Sequence, residues 1–289
     1  MSARVFAPAK INLTLEVGPL KANGRHPLQS VVAFADVGDW VQAEPAPALT
    51  LAISGPFAAE LNVDEDNLVL RAARALAARA GIKASGAALR LEKNLPLASG
   101  IGGGSADAAA ALRALNTLWG QHLGEAELMD LGQSLGADVP ACVFARSAYM
   151  TGEGETIAPI RLPVMHAVLV NPAMAAPTAD VFRQFDSMAG GSDFAATAAP
   201  NWVDFEAVCT GAQERGNMLA PAARIVAPII DAVGHALSAD RRARYVNLSG
   251  SGATMFALTA GAADASGLAV DLSRAYPDWW VAATRLAAT

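Results

Sequence analysis

Cysteine is nearly missing from this chain: Cys142 and Cys209 are the only two in 289 residues. They stand far apart and outside any metal or dithiol spacing, so two buried, reduced thiols are expected. No Gly-Lys dipeptide occurs, which excludes a Walker A loop. No Ser-His-Asp or Cys-His arrangement shows in the spacing, and there is no zinc motif, internal repeat or low-complexity tail. Apolar runs stop short of membrane-spanning length, and Lys10, Asn12 and Glu16 interrupt the N-terminal stretch before a signal core could form. A soluble, cytoplasmic protein with no membrane partner is expected. Basic charge is also short: the net charge of −6 argues against nucleic acid as the main partner. Anionic small ligands remain open, because the local field of a site can oppose the net charge. With 53% hydrophobic and 17% charged residues, the chain reads as compact and globular, and its length suggests two domains sharing a cleft.

What the chain does have is glycine in one place. Pro96 to Ala110 reads PLASGIGGGSADAAA, with Gly100, Gly102, Gly103 and Gly104 running into Ser105. Leu89 and Leu91 alternate with polar neighbours before it, and an alanine-rich segment follows, giving strand, glycine loop and helix. Glycines allow positive φ and close approach of backbone to a ligand. The first N–H groups of a helix lack carbonyl partners and favour an anion. The stretch reads as a phosphate cradle, with a plain helix-capping turn as the alternative. It is not a dinucleotide fingerprint, since the third glycine would fall on Ser105. Without a lysine of its own, such a loop must find positive charge elsewhere.

The strict alternation from Lys10 to Val17 predicts a half-buried strand with Lys10, Asn12, Thr14 and Glu16 on the polar face. That face is either solvated or supplies the loop's missing charge. Two strands are expected over 28–45, divided at Asp36–Asp39, and a third over Leu49–Ile53. Helices are expected over 67–80, over 105–119 with Ser105 as N-cap and Asp107 in the first turn, and over 125–135. Asp138 lies between that helix and Pro140, and 141–150 reads as a strand. Strands at 165–170, 245–248 and 255–258, helices from Thr178, over 217–233 and over 262–275, and an irregular loop over 186–203 complete the pattern.

Three separated segments, KINLTLEV at 10–17, the loop at 96–110 and LSGSGATMFAL at 248–258, together resemble the galactokinase, homoserine kinase, mevalonate kinase and phosphomevalonate kinase (GHMP) superfamily. NGRHPLQS, LGADVPACVF, GEGETIAPI and NPAMAAPTADVF narrow the likeness to the branch that phosphorylates the 2-hydroxyl of a cytidine-diphosphate-linked methylerythritol, on the non-mevalonate route to isoprenoids. The resemblance implies an α+β fold of two domains: a ribosomal protein S5 domain 2-like domain at 1–160 and a ferredoxin-like domain at 161–289, with the active site in the cleft between them. It implies ATP and Mg²⁺ as cofactors and a monomer or weak homodimer. Asp138 would be the catalytic base and Lys10 its partner, stabilising charge on the transferring phosphoryl group. Pro96, Leu97, Ala98, Ser99, Gly100, Ile101, Gly102, Gly103, Gly104, Ser105 and Ala106 would hold the ATP phosphates, with Ser105 helping the metal. Asn67 and Lys93 would lie near adenine and ribose. Asn12, Arg25 and His26 would meet the cytidine end of the substrate, Phe182 would stack there, and Thr178 would lie near the reacting groups.

Two positions depart from the family pattern. Arg25 stands where Tyr is usual beside the His, so the aromatic wall of a cytosine pocket is rebuilt with a plane that can also stack on a base. Asn217-Met218-Leu219-Ala220 replaces a common Asn-Asp-Leu-Glu, read as a structural change without catalytic cost. The alternatives are a sister kinase acting on homoserine or mevalonate, and a nucleotide-binding sensor that keeps the fold but not the catalysis.

Overall fold

The computed structural model describes residues 2–82, 86–188, 191 and 197–287. Its contacts group the chain into two compact units. One comprises residues 1–9, 38–97 and 102–145; the other comprises 10–37, 98–101 and 146–289.

The first unit takes the start of β1 (Ala3–Asn12), the end of β3 (Leu28–Pro45), β4 (Leu49–Ser54) and β5 (Ala87–Glu92). β5 lies between its neighbours, parallel to β4 and antiparallel to β3, with Trp40 opposite Glu92 and Pro45 opposite Ala87. The α-helices α1 (Leu68–Arg79), α2 (Gly103–Leu118), α3 (Glu125–Gln133) and α4 (Val139–Phe144) belong to it. α2 packs against α1 and α4, and its buried residues are mostly alanine. Asn67 caps α1, its side-chain oxygen accepting from Val69 N at 3.0 Å.

The second unit holds β2 (Glu16–Val17), the first half of β3, the hairpin β6 (Ala148–Thr151) and β7 (Thr156–Pro159), and the strands β8 (Met165–Asn171), β9 (Ala243–Leu248), β10 (Met255–Thr259) and β11 (Trp280–Leu286). Helices α5 (Thr178–Ser187), α6 (Phe205–Arg215), α7 (Ala220–Val226), α8 (Ile229–Ser238) and α9 (Ala262–Ala275) cover it. The strand order β11-β8-β10-β9 is antiparallel throughout. Helices follow β8 and α9 follows β10, so the order of elements is the ferredoxin-like one expected. Val168, Val170, Phe185, Ile230, Leu248 and Met255 lie in its core. Both cysteines are free and buried, as expected. No helix among the described residues is long and apolar enough to cross a membrane.

Several local expectations are corrected. Lys10, Asn12 and Thr14 are not a solvated face: their exposures are 3%, 5% and 0%. The regular strand also stops at Asn12, because Leu13 N turns to Val31 O and Leu15 bridges Asn217. The segment 28–45 is one strand, since Asp36 and Asp39 are bound to neighbouring elements instead of turning the chain. α2 starts two residues before Ser105, with Gly102 as its cap at φ 67°. Residues 139–144 form a helix with Pro140 in its first turn, and the strand begins only at Ala148. The helix expected over 217–233 is divided at Ala227–Pro228, where proline lacks the N–H to continue it. α6 and β11 are found where nothing regular was expected. Much of the loop expected over 186–203 lies outside the described residues.

Candidate functional site

The glycine loop leaves β5 and enters α2 through three residues with positive φ: Ala98 at 46°, Gly100 at 73° and Gly102 at 67°. Within the second unit, residues 98–101 interlock with the turn Ser249–Thr254 between β9 and β10. Thr254 N donates to Ser99 O at 3.0 Å, and Ser249 Oγ donates to Gly100 O at 3.0 Å. A Cβ on Gly100 would stand 2.4 Å from Ser249 O, so this position requires glycine twice over, for its φ and for its neighbour. The end of β1 joins the same knot. Lys10 N donates to Ile101 O at 2.9 Å, and Asn12 N donates to Ser249 Oγ at 3.1 Å. The backbone of Lys10 is thus bound to the loop that lacked positive charge. Asn12 turns its amide to Ser30 Oγ at 2.7 Å, which places it in a buried polar row with Thr14.

The 249–254 turn is itself held from three sides. Asn217 Nδ2 donates to Leu248 O and Gly250 O, both at 2.8 Å. Asn171 Nδ2 reaches Thr254 Oγ1 at 2.9 Å, and the Thr178 and Ser251 hydroxyls meet at 2.9 Å. Thr178, the exposed first residue of α5, therefore stands beside this turn. Met218, one of the departures from the family pattern, accepts Val17 N on its sulfur at 3.3 Å, a packing role.

His26 and Phe182 are brought together, with ring centroids 5.1 Å apart, and Phe185 meets the imidazole edge-on at 6.0 Å. Gly18 O, 2.9 Å from His26 Nδ1, can only accept, so Nδ1 carries the hydrogen. Nε2 then faces Asp186 Oδ1 at 3.5 Å. The exposed guanidinium of Arg25 pairs with Glu153 Oε2 at 3.3 Å, and Asn23 donates to the other oxygen of that carboxylate at 2.7 Å. The Asn23 amide and the Arg25 charge hold the Glu153 carboxyl below its usual range despite some desolvation.

In the first unit, α2 begins at Gly103, and the N–H groups of Gly103, Gly104 and Ser105 have no intrahelical partner by the geometry of a first turn. Gly104 is exposed and Ser105 half-buried. Asp138 precedes α4, half-buried, at φ −86°. Pro96 and Leu97 lead from β5 into the loop, and Asn67 is committed to capping α1. Lys93 is fully enclosed, its ammonium 2.5 Å from Asp39 Oδ2 and 2.8 Å from Asp107 Oδ2. Burial opposes its charge, but the two carboxylates outweigh that and raise its pKa. Asp107 is pushed up to about 7, mainly by burial, with Asp39 adding repulsion against the attraction of Lys93. The sequence predicts Asp107 in the first turn, but α2 begins at Gly103 and places it beyond that turn, and no local pattern marks Asp39 as its partner. One signal was present: Asp107 is the only charged residue between Gly102 and Arg113, inside a run of alanines.

Among the described residues no group of three or more His, Cys, Asp or Glu side chains could hold a metal ion. The Ser105 hydroxyl is a hard oxygen donor, which suits Mg²⁺ carried chiefly by phosphate oxygens and water.

Small-molecule kinases of known structure share this order of elements. The family model for the GHMP kinases N terminal domain matches residues 67–146. A homoserine kinase from Cytophaga hutchinsonii shares the fold at a TM-score of 0.67, with 20% identity, 98% of this chain covered and 94% of that one. A 4-diphosphocytidyl-2-C-methyl-D-erythritol kinase from Parvibaculum lavamentivorans is 48% identical over 95% of each chain. A solved 4-(cytidine 5'-diphospho)-2C-methyl-D-erythritol kinase superposes at a TM-score of 0.80, with 33% identity over 99% of this chain and 100% of that one. The chain belongs to the GHMP kinase family, in the branch of these diphosphocytidyl-methylerythritol kinases.

Proposed function

We infer that the protein transfers the γ-phosphoryl group of ATP to the 2-hydroxyl of 4-diphosphocytidyl-2-C-methyl-D-erythritol, a step in making isoprenoid precursors by the non-mevalonate route. The observation that carries this reading is near-full-length identity of 42–48% to kinases named for that substrate. Phosphoryl transfer needs positioning and charge stabilisation more than covalent help, and the proposed residues supply both. The amides that open α2, with residues 96–106, hold the triphosphate. Asp138 accepts the proton of the substrate hydroxyl, and Lys10 stabilises charge on the phosphoryl group in flight. Ser105 would hold Mg²⁺, which would neutralise charge on the phosphate oxygens of the bound nucleotide. His26, Phe182, Asn12 and Arg25 receive the cytidine end, and Thr178 stands near the reacting hydroxyl. The binding of Lys10 to Ile101 and the pairing of His26 with Phe182 support these roles. Asn67 sits at the edge of the adenine and ribose site, and Lys93, the other residue expected there, has its ammonium enclosed by Asp39 and Asp107. The functional division is 1–160 for nucleotide and 161–289 for the second domain, acting as a monomer or weak homodimer in the cytoplasm.

The test is ADP release from ATP with this substrate, beside homoserine, mevalonate and galactose at equal concentration. The cytidine compound should give the highest kcat/KM by at least a hundredfold. Preference for one of the others moves the chain to a sister activity, and tight ATP binding without any transfer makes it a sensor.

A further inference from the structure

The buried group of Asp39, Lys93 and Asp107 is not used by the phosphoryl-transfer step above, yet it occupies both ends of the glycine loop. Lys93 ends the segment leaving β5, and Asp107 lies just inside α2. Asp39, from β3, accepts the backbone N–H of Asn94 at 2.6 Å and of Leu95 at 2.9 Å on Oδ1, while Oδ2 takes the Lys93 ammonium. The same ammonium reaches Asp107 Oδ2 at 2.8 Å. It lies directly beneath the first residue of α2: a Cβ on Gly103 would come within 3.1 Å of Nζ. Asp39, Lys93 and Asp107 are 0%, 0% and 3% exposed. An ion cluster so enclosed is a poor source of net stability, because desolvation offsets its attraction. Its geometry instead fixes where the loop leaves the sheet relative to where the helix begins.

We propose that Asp107 is a positioning residue for nucleotide binding, clamping the start of α2 through Lys93 to the β5 exit so that the amides of Gly103 to Ser105 are held at one spacing. This rests on the reading of the loop as the ATP phosphate site. Two carboxylates share one ammonium, and Asp107 Oδ1 has no hydrogen-bond partner. Asp39 has both oxygens engaged, so Asp107 is the weaker attachment of the clamp and the side of it that can be altered without releasing Lys93 from β3. Ordering the loop before the ligand arrives lowers the cost of binding without touching the reacting atoms.

The experiment is Asp107→Asn, which keeps an oxygen for Lys93 but loses the charge. With the variant folded by thermal melt, KM for ATP should rise about tenfold, kcat at saturating ATP should stay within threefold, and KM for the cytidine substrate should be unchanged. Asp107→Ala should raise KM for ATP further, so that Asn counts as partial rescue. An unchanged KM for ATP in a folded Asp107→Asn protein overturns the proposal, and so does an equal loss in kcat. If wild-type protein shows no saturable ATP dependence, the phosphate-site reading fails instead, which is a separate result. Should the variants not fold, amide exchange on the wild-type chain decides. The amides of Asn94, Leu95 and Ala106 should open together and gain protection together with ATP; independent opening contradicts the clamp.

Discussion

Asp138 precedes a six-residue helix whose residues are all buried, so its backbone is fixed while the residue itself is half-buried. A base needs that combination: a fixed place and access to a hydroxyl. Replacing Asp138 by Asn removes proton acceptance and keeps the shape. Turnover should fall by about 10²- to 10⁴-fold, the range for one positioned acid–base group, with KM for ATP within about twofold. Steady-state kinetics checks this, and unchanged turnover removes Asp138 from the role. Phe182 makes a second test. Its ring stands against His26, and base stacking on an aromatic side chain contributes about 1–3 kcal/mol. Phe182→Ala should raise KM for the cytidine substrate about 5- to 150-fold and leave ATP untouched; an equal rise for both would place the ring elsewhere.

At the scale of elements, the loop and turn of the second unit depend on backbone contact that only glycine permits. Gly100→Ala adds a methyl 2.4 Å from Ser249 O at a φ of 73°. Strain of this kind costs about 1–3 kcal/mol, and denaturant titration should show a loss at least that large. The loop and its helix were legible in the sequence because glycine and alanine runs carry their own geometry, and α1 was legible from Asn67 and the spacing after it. Burial was not. The alternation from Lys10 to Glu16 predicts a shared polar face, but it does not show that the regular strand ends at Asn12 or that Lys10, Asn12 and Thr14 are enclosed. The stretch from Ala141 to Phe144 reads as the start of a strand because a short apolar run has no period that separates strand from helix. The site residues rest on motif matching, whereas the Lys93 cluster joins positions 14 and 54 residues apart, which no local pattern reveals.

Across the whole molecule, pH should act through that same cluster. A carboxyl whose folded pKa is raised binds its proton more tightly when folded. Its stabilising effect is complete below about pH 4 and is lost as pH rises to about 7, where the folded Asp107 ionises. Asp36 works in the opposite sense: desolvation is outweighed by bonds from Thr284 and Arg285, which lower its pKa, so its contribution is lost only below its usual 3.8. Lys93, raised from 10.5, keeps its contribution through neutral pH. Between pH 4 and 7, unfolding free energy should therefore decline more steeply in wild-type protein than in Asp107→Asn, by up to about 1.4 kcal/mol per pH unit. Parallel curves would show that Asp107 does not titrate in that window.

The kinase reading as a whole comes down to where one nucleotide and one sugar alcohol lie. A crystal structure with a non-hydrolysable ATP analogue, Mg²⁺ and the cytidine substrate measures this directly. The phosphates should accept from the amides of Gly103 to Ser105, with the Lys10 ammonium beside the γ-phosphate and the Asp138 carboxylate within hydrogen-bond distance of the 2-hydroxyl. A triphosphate bound away from the start of α2, or a 2-hydroxyl beyond the reach of Asp138 even through one water, would contradict it.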